Sequence, residues 1–265
     1  MPAPSGKCKL CLAENVVLCD GHVIPRWAYA RIRDEREGEN PNPMKISGGK
    51  AVQVSKQVKE YMFCAPCDEQ KFGPYDDYIS SLACDGEAFP ARDAVGRPQG
   101  SVDGIQIVTP GKLDAMRLVY FACSVVWRGH VAASIPRCTL GPVGETFRAY
   151  LNDERALPNT IQVTLSLLRD DESGKAELGQ LFTMPHSMRK RPHHSHEFAL
   201  CGMYFAVRTG ASRSDVEGTL TSATPMIGIV DRGVYKGWLG TEILKARFGG
   251  KRWPLNSNGV RGPFE

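Results

Sequence analysis

Cys8-Lys9-Leu10-Cys11, then Asp20-Gly21-His22-Val23-Ile24-Pro25, then Phe63-Cys64-Ala65-Pro66-Cys67-Asp68-Glu69-Gln70-Lys71 are the stretches on which the reading of this chain turns. Each C-x-x-C closes a tight knuckle that aims two thiolates at one point. Two knuckles together supply the four soft ligands of a tetrahedral zinc site. A redox C-x-x-C stands alone in a strand–helix unit, so a second copy argues against that use. Cys8, Cys11, Cys64 and Cys67 are therefore the expected ligands of a structural Zn2+. The remaining five of the nine cysteines, Cys19, Cys84, Cys123, Cys138 and Cys201, are single and read as small buried apolar residues. A disulfide framework would need an oxidising compartment, and nothing in the sequence points to one.

Working outward, Asp20-Gly21 is a turn signal, so residues 12–24 read as a β-hairpin turning at Cys19-Asp20-Gly21. Pro25 suits the first position of a helix over 26–33. Residues 34–50 read as a loop. Residues 51–63 alternate as a strand that delivers the chain into Cys64. A helix from Cys67 to about Cys84 follows, interrupted at Gly73-Pro74. Residues 1–85 thus form a zinc module. Residues 86–111, rich in Gly, Pro and Asp, read as a linker. Residues 112–265 read as an α+β domain, helical over 112–156 and β-rich over 157–265. Its long helix, from 113 to about 133, is apolar nearly all round and belongs in a core. A second helix is expected over 144–154. Strands are expected over 161–168, 178–184, 198–207 and 226–230, with a turn at 170–174. The fold class is α+β.

The length of 265 residues allows one or two domains, and 42% hydrophobic with 23% charged residues is the composition of an ordinary folded chain. The longest apolar run, 118–127, is far short of the roughly 20 residues of a membrane span, so no membrane partner is expected. The start MPAPSGKCKLC lacks the apolar core of a secretory signal, which makes a cytoplasmic location the expectation. The net charge of +4 is unevenly spread. Residues 1–185 carry 21 Lys+Arg against 23 Asp+Glu, and residues 186–265 carry 12 against 6. A basic last third suits a polyanion such as nucleic acid, or a merely solvated face. Within it, residues 186–196 read as a loop between two strands with Arg189, Lys190 and Arg191 at its tip, placed for phosphate contacts. His193, His194 and His196 are too crowded for a clean tetrahedral site. Lys245, Arg247, Lys251 and Arg252 near Trp253 could track and stack on a strand, or simply end a domain. The sequence contains no P-loop, H-E-x-x-H, G-x-S-x-G or dinucleotide fingerprint.

The order C-x-x-C, hairpin, His, helix, loop, strand, C-x-x-C, helix is that of a treble-clef zinc fold, and with it the chain resembles the HNH (ββα-metal) nucleases of standalone bacterial type. His22 and Pro25 fall on the His and Pro of the family's D-H-I-x-P, and Lys71 on the Lys of its L-C-x-x-C-H-x-x-K. The resemblance implies a nuclease that cleaves phosphodiester bonds, most naturally of DNA. His22 would be the general base, a single Mg2+ or similar divalent ion would act at the leaving oxygen, and Lys71 would contact phosphate. The chain departs from the pattern twice. Gly21 stands where the family often has a metal-ligating Asp or His, with Asp20 one place back. Asp68 stands where it usually has His or Asn, and a carboxylate suits a hard cation. Asn40 and Asn42 are candidates for the family's middle Asn. Arg128, in the apolar helix, would serve a phosphate or pair with Asp76 or Asp77. The alternative reading is a zinc-stabilised nucleic-acid or protein interaction module with a decayed active site, the C-terminal part docking a protein partner or a second copy. Convergence of Asp20, His22 and Asp68 on one metal would favour the nuclease; Asp20 turned away from Asp68 would favour the binding module.

Overall fold

The computed structural model describes residues 3–33, 42–47, 50–54, 56–85, 88–135, 137–169, 181–190, 193–210 and 218–231, with four two-residue strands between 247 and 260. Asn40, Arg191, Lys245, Trp253, the 170–174 turn and residues 178–180 lie outside them, as do the side chains of Lys190, Arg247, Lys251 and Arg252.

Strands β1 (Ser5–Gly6) and β2 (Val16–His22) are followed by α1 (Arg26–Arg31), β3 (Met44–Ser47), β4 (Lys50–Gln53) and β5 (Lys59–Cys64). β1, β2 and β5 form one antiparallel sheet in that order. Cys19-Asp20-Gly21 is not a turn: β2 runs straight through it and pairs with β5, with a register irregularity at Cys19/Asp20. Space beside Gly21 is tight. A Cβ on it would stand 3.2 Å from Asp68 Oδ1 and 3.3 Å from Phe63 Cδ2. After β5 the chain enters a π-helical stretch, Pro66–Phe72, that runs into α2 (Gly73–Leu82). Pro74 lies in the first turn of α2 and the chain stays helical through it, so Gly73-Pro74 marks a change of helix type and not a gap.

Residues 86–111 are more than a linker. They hold α3 (Pro90–Ala94), β6 (Pro98–Val102) and β7 (Ile105–Val108). β6 and β7 are joined at Asp103-Gly104, both at positive φ (51° and 78°), the geometry of a tight hairpin turn. Their polar, glycine-containing sequence conceals them because β6 is exposed on both faces and needs no apolar alternation.

Helix α4 (Ala115–Val131) begins at Asp114, whose carboxylate accepts hydrogen bonds from the backbone N–H groups of Met116 and Arg117. α5 (Gly144–Leu151) follows. Then come β8 (Ile161–Arg169), β9 (His186–Lys190), β10 (His193–Leu200), β11 (Met203–Thr209) and β12 (Ile227–Asp231). A seven-stranded sheet results, in the order β6-β7-β12-β8-β11-β10-β9, antiparallel except where β12 lies parallel to β8. Three expectations change here: of the strand expected over 178–184, the described residues 181–184 hold only an isolated bridge between Phe182 and Leu200. Residues 198–207 are two strands, split at Cys201-Gly202, both at positive φ (42° and 86°). Residues 186–190 lie in β9 and residues 193–196 in β10, so these segments are strands; their polar residues pair with one another across the sheet, which hides the alternation.

α4 joins the two halves. Phe121 packs on Phe198 and Phe205, while Trp127 stacks on Phe63 beside Phe72. Each such buried ring contributes about 1.5–3 kcal/mol. No helix among the described residues is long and apolar enough to cross a membrane.

His196 is buried in the large sheet between Ser187 Oγ (2.8 Å from Nδ1) and Thr209 Oγ1 (3.2 Å from Nε2). Burial pushes its imidazole down to about 4, so the folded protein holds it neutral while the unfolded chain takes up a proton. Stability from this residue is present above the ordinary histidine value and is lost as pH falls from about 6.5 to about 4, a loss of about 3 kcal/mol. Urea melts over this range should show the acid limb in the wild type and a much flatter one in His196→Gln.

Candidate metal centre and the His22 site

Cys8 and Cys11 lie in the knuckle between β1 and β2, Cys64 ends β5, and Cys67 opens the helical stretch after it. The four Sγ atoms lie within 4.8 Å of one another. Cys11 Sγ and Cys64 Sγ are 3.8 Å apart, and a tetrahedron with zinc–sulfur bonds of about 2.3 Å has edges of about 3.8 Å. The backbone N–H of Cys64 donates to Cys8 Sγ at 3.5 Å. Burial works against a Cys8 thiolate, but N–H groups of Cys64, Cys11 and Leu10 outweigh it and bring the thiol down to about 7. Burial and the neighbouring sulfurs push Cys67 strongly up. Four crowded sulfurs that cannot all ionise unaided are what a dication stabilises. The site could hold a metal, and four thiolates favour zinc. Among the described residues it is the one cluster of three or more His, Cys, Asp or Glu side chains with this geometry.

His22 ends β2. Its Nε2 lies 2.5 Å from Gln57 Oε1. An amide oxygen only accepts, so Nε2 donates and Nδ1 is the basic nitrogen of the neutral ring. The His22 carbonyl accepts from Arg128 Nη1 at 3.3 Å. Arg128, buried in α4, also grips Asp76 of α2 with two hydrogen bonds, 2.8 and 3.0 Å, and lies over the Phe72 ring. Of the two roles sequence allowed Arg128, the structure shows the pair with Asp76.

Asp68 reaches from the helical stretch toward the Gly21 Cα. Burial pushes its carboxyl up, against the pull of Arg128 and then His22. Among the described residues the carboxylate accepts no hydrogen bond and forms no ion pair. Asp20 is placed differently: it is ion-paired to Lys59 on the adjacent strand. Asp20, His22 and Asp68 therefore do not converge as a three-ligand group; Asp68 and His22 feel one another's charge, and Asp20 is turned to Lys59. Lys71 lies 2.5 Å from Asp153 Oδ2. Arg189 stands exposed on β9, the outer strand of the large sheet. Gln57, Lys59 and Tyr61 beside His22 escaped sequence reasoning. The only signal was the strand expected over 51–63, which the structure divides into β4 and β5, with Lys59 and Tyr61 two residues apart on β5.

No family model, curated protein or solved structure matches this chain.

Proposed function

We propose that this chain is an HNH-like, zinc-stapled protein that acts on phosphodiester bonds through His22 and Asp68. One observation carries the reading. The two positions at which the resemblance implies metal ligands, 21 and 68, face each other across β2 and the helix, with Asp68 Oδ1 3.2 Å from where a Cβ on residue 21 would stand. The knuckle, the antiparallel β2–β5 pair and the following helix also come in the treble-clef order.

The chemistry assigns each group a task. His22 Nδ1 takes a proton from water, the resulting hydroxide oxygen forms a bond to phosphorus, and the bond to the leaving oxygen breaks. Gln57 holds the ring in the tautomer that leaves Nδ1 basic, and Arg128 holds the backbone carbonyl of the same residue. Asp68 is the carboxylate for a divalent ion, which would supply charge stabilisation at the leaving oxygen. Mg2+ is commonly held by one or two carboxylates plus water and phosphate oxygens, so a single Asp fits. An ionised carboxylate kept half-buried and unpaired costs stability, and a cation offsets that cost.

In cleavage assays on plasmid and linear DNA with Mg2+ or Mn2+, His22→Ala should lower the rate roughly 10²–10⁴-fold. Equal cleavage by both proteins removes His22 from the mechanism. Asp68→Asn should abolish metal-dependent cleavage and raise Tm at neutral pH. The sign follows from the raised Asp68 pKa: ionisation above it disfavours the fold, and Asn never ionises. Below the ordinary carboxylate range both side chains are neutral and the gain vanishes. A lower Tm for Asp68→Asn at neutral pH contradicts this account.

The second reading, a binding module without turnover, is favoured by Asp20: with that carboxylate on Lys59 and no side chain on Gly21, one carboxylate is left for a catalytic metal. It predicts salt-sensitive nucleic-acid binding with no cleavage under any metal.

A further inference from the structure

We infer that the outer face of the β2–β5 pair is a platform for an unpaired nucleotide strand, with Tyr61 stacking on a base and Lys59 gripping a phosphate beside His22. The inference rests on the nucleic-acid part of the function proposed above. Its basis is register. Asp20 pairs with Tyr61 and His22 with Lys59, and directly opposed residues of an antiparallel pair share a face. The ion pair between Asp20 and Lys59, a diagonal contact, agrees with that placement. The neighbouring pair, Gly21 and Glu60, faces the other way. Gly21 is packed against Phe63 and Asp68, and Glu60 accepts from the backbone N–H groups of Ala133 and Ser134 at 3.0 and 2.7 Å. Burial works against the Glu60 carboxylate, but these bonds hold it below the ordinary range and clamp β5 to the end of α4. β5 is thus anchored on its inner side, and on the outer face Lys59 and Tyr61 are exposed while Asp20 and His22 are half-buried.

Tyr61 is 46% exposed, and among the described residues it is the one aromatic ring on the surface to that degree. Residues diagonal across an antiparallel pair are about 7–8 Å apart. A base lying on the Tyr61 ring thus sets the adjoining phosphate within reach of His22 on the opposite strand. Stacking on a ring face needs a base outside a duplex, so the surface selects single strands. Lys59 is exposed and is held by the half-buried Asp20 carboxylate, a pair that solvent still reaches. Such pairs are weak, so a phosphate can take the place of Asp20. In this arrangement Asp20 restrains Lys59 and is not a metal ligand.

The test uses the full chain with Ca2+ and short labelled single strands of DNA and of RNA, alongside a DNA duplex. Affinity is read by anisotropy, and stacking by the fluorescence of 2-aminopurine in the strand. The wild type should bind single strands of either sugar more tightly than the duplex and quench the reporter. Tyr61→Phe should keep both properties. Tyr61→Leu should lose the quench and weaken binding roughly 5- to 150-fold, at unchanged Tm. Lys59→Ala should lower the salt slope by about one. Asp20→Asn should tighten binding by about two- to fivefold. Equal affinity of Tyr61→Leu and wild type, or a duplex preference, overturns the inference. If His22-dependent cleavage persists in that case, the proposed chemistry stands without it. Tyr61-dependent binding with no cleavage under Mg2+ or Mn2+ does the opposite: the platform stands and the proposed chemistry falls. Loss of cleavage in Asp20→Asn at unchanged affinity would return Asp20 to the metal and remove Lys59 from the platform.

Discussion

Stripping metal from the four-cysteine site, or replacing Cys67 with Ala, should unfold the N-terminal half and lower the Tm of the whole chain. Structural zinc sites of this ligand type contribute about 10–16 kcal/mol of apparent binding free energy, more than most domains have in total stability. Cys8 and Cys11 lie on a knuckle that is built into the core: Leu10 is fully buried, Lys9 N donates to Met62 O, and Arg148 of α5 donates to Leu10 O. Of Phe63 and Phe72, on either side of Cys64 and Cys67, the first stacks on Trp127 of α4 and the second lies tilted against it. Loss of the metal therefore reaches the helix that also supports the large sheet. Metal analysis of the purified protein should give one zinc per chain, and a strong chelator should shift the thermal transition down with release of that zinc. A metal-free preparation with unchanged Tm would show the cysteines to be packing residues only.

Arg128→Leu should cost about 3–5 kcal/mol, because it leaves the Asp76 carboxylate buried without its partner. Removing both charges, as Arg128→Leu with Asp76→Leu, should recover most of that loss, since two apolar side chains need no solvation. The single variant should also have a pH signature. Burial already pushes Asp76 up and Arg128 opposes it, so without Arg128 the carboxyl takes a proton more readily in the folded state. The deficit should then shrink as pH falls from neutral toward mildly acidic. Urea melts of the three proteins at two pH values decide this. A double variant no better than the single one, or a deficit independent of pH, would mean that packing of the Arg128 stem on Phe72 outweighs the ion pair. Because Arg128 also holds the His22 carbonyl, the stable double variant isolates that contact: it should turn over more slowly than wild type if His22 needs it.

The four-cysteine cluster was legible before any fold was known. The C-x-x-C spacing names four ligands because a two-residue gap lets one short turn aim two sulfurs at one ion, whatever lies between the pairs. The apolar sequence of α4 marks a central helix because no polar face remains to meet water. The α+β order likewise follows from periodicity. Failures occurred where a local signal was overruled by a neighbour distant in sequence. Asp20-Gly21 has the composition of a turn, yet it lies inside β2 because its backbone pairs with Tyr61 and Glu60 of β5. Residues 186–196 have the composition of a solvated loop, yet His196 is buried because Ser187 and Thr209 satisfy both ring nitrogens. Residues 86–111 have the composition of a linker, yet β7 completes its hydrogen bonds on β12.

By itself, then, the sequence determined which four cysteines can bind a metal and that the chain mixes helix and strand. Those properties depend on side-chain chemistry and on spacing within one turn of chain. Only the tertiary structure decided that Asp68 and not Asp20 approaches position 21, that Arg128 serves Asp76 and the His22 carbonyl, and that Lys59 and Tyr61 share an open face with His22. Each of these depends on strand register and on helix placement, which are set by the packing of rings such as Phe63, Phe72 and Trp127 far apart along the chain.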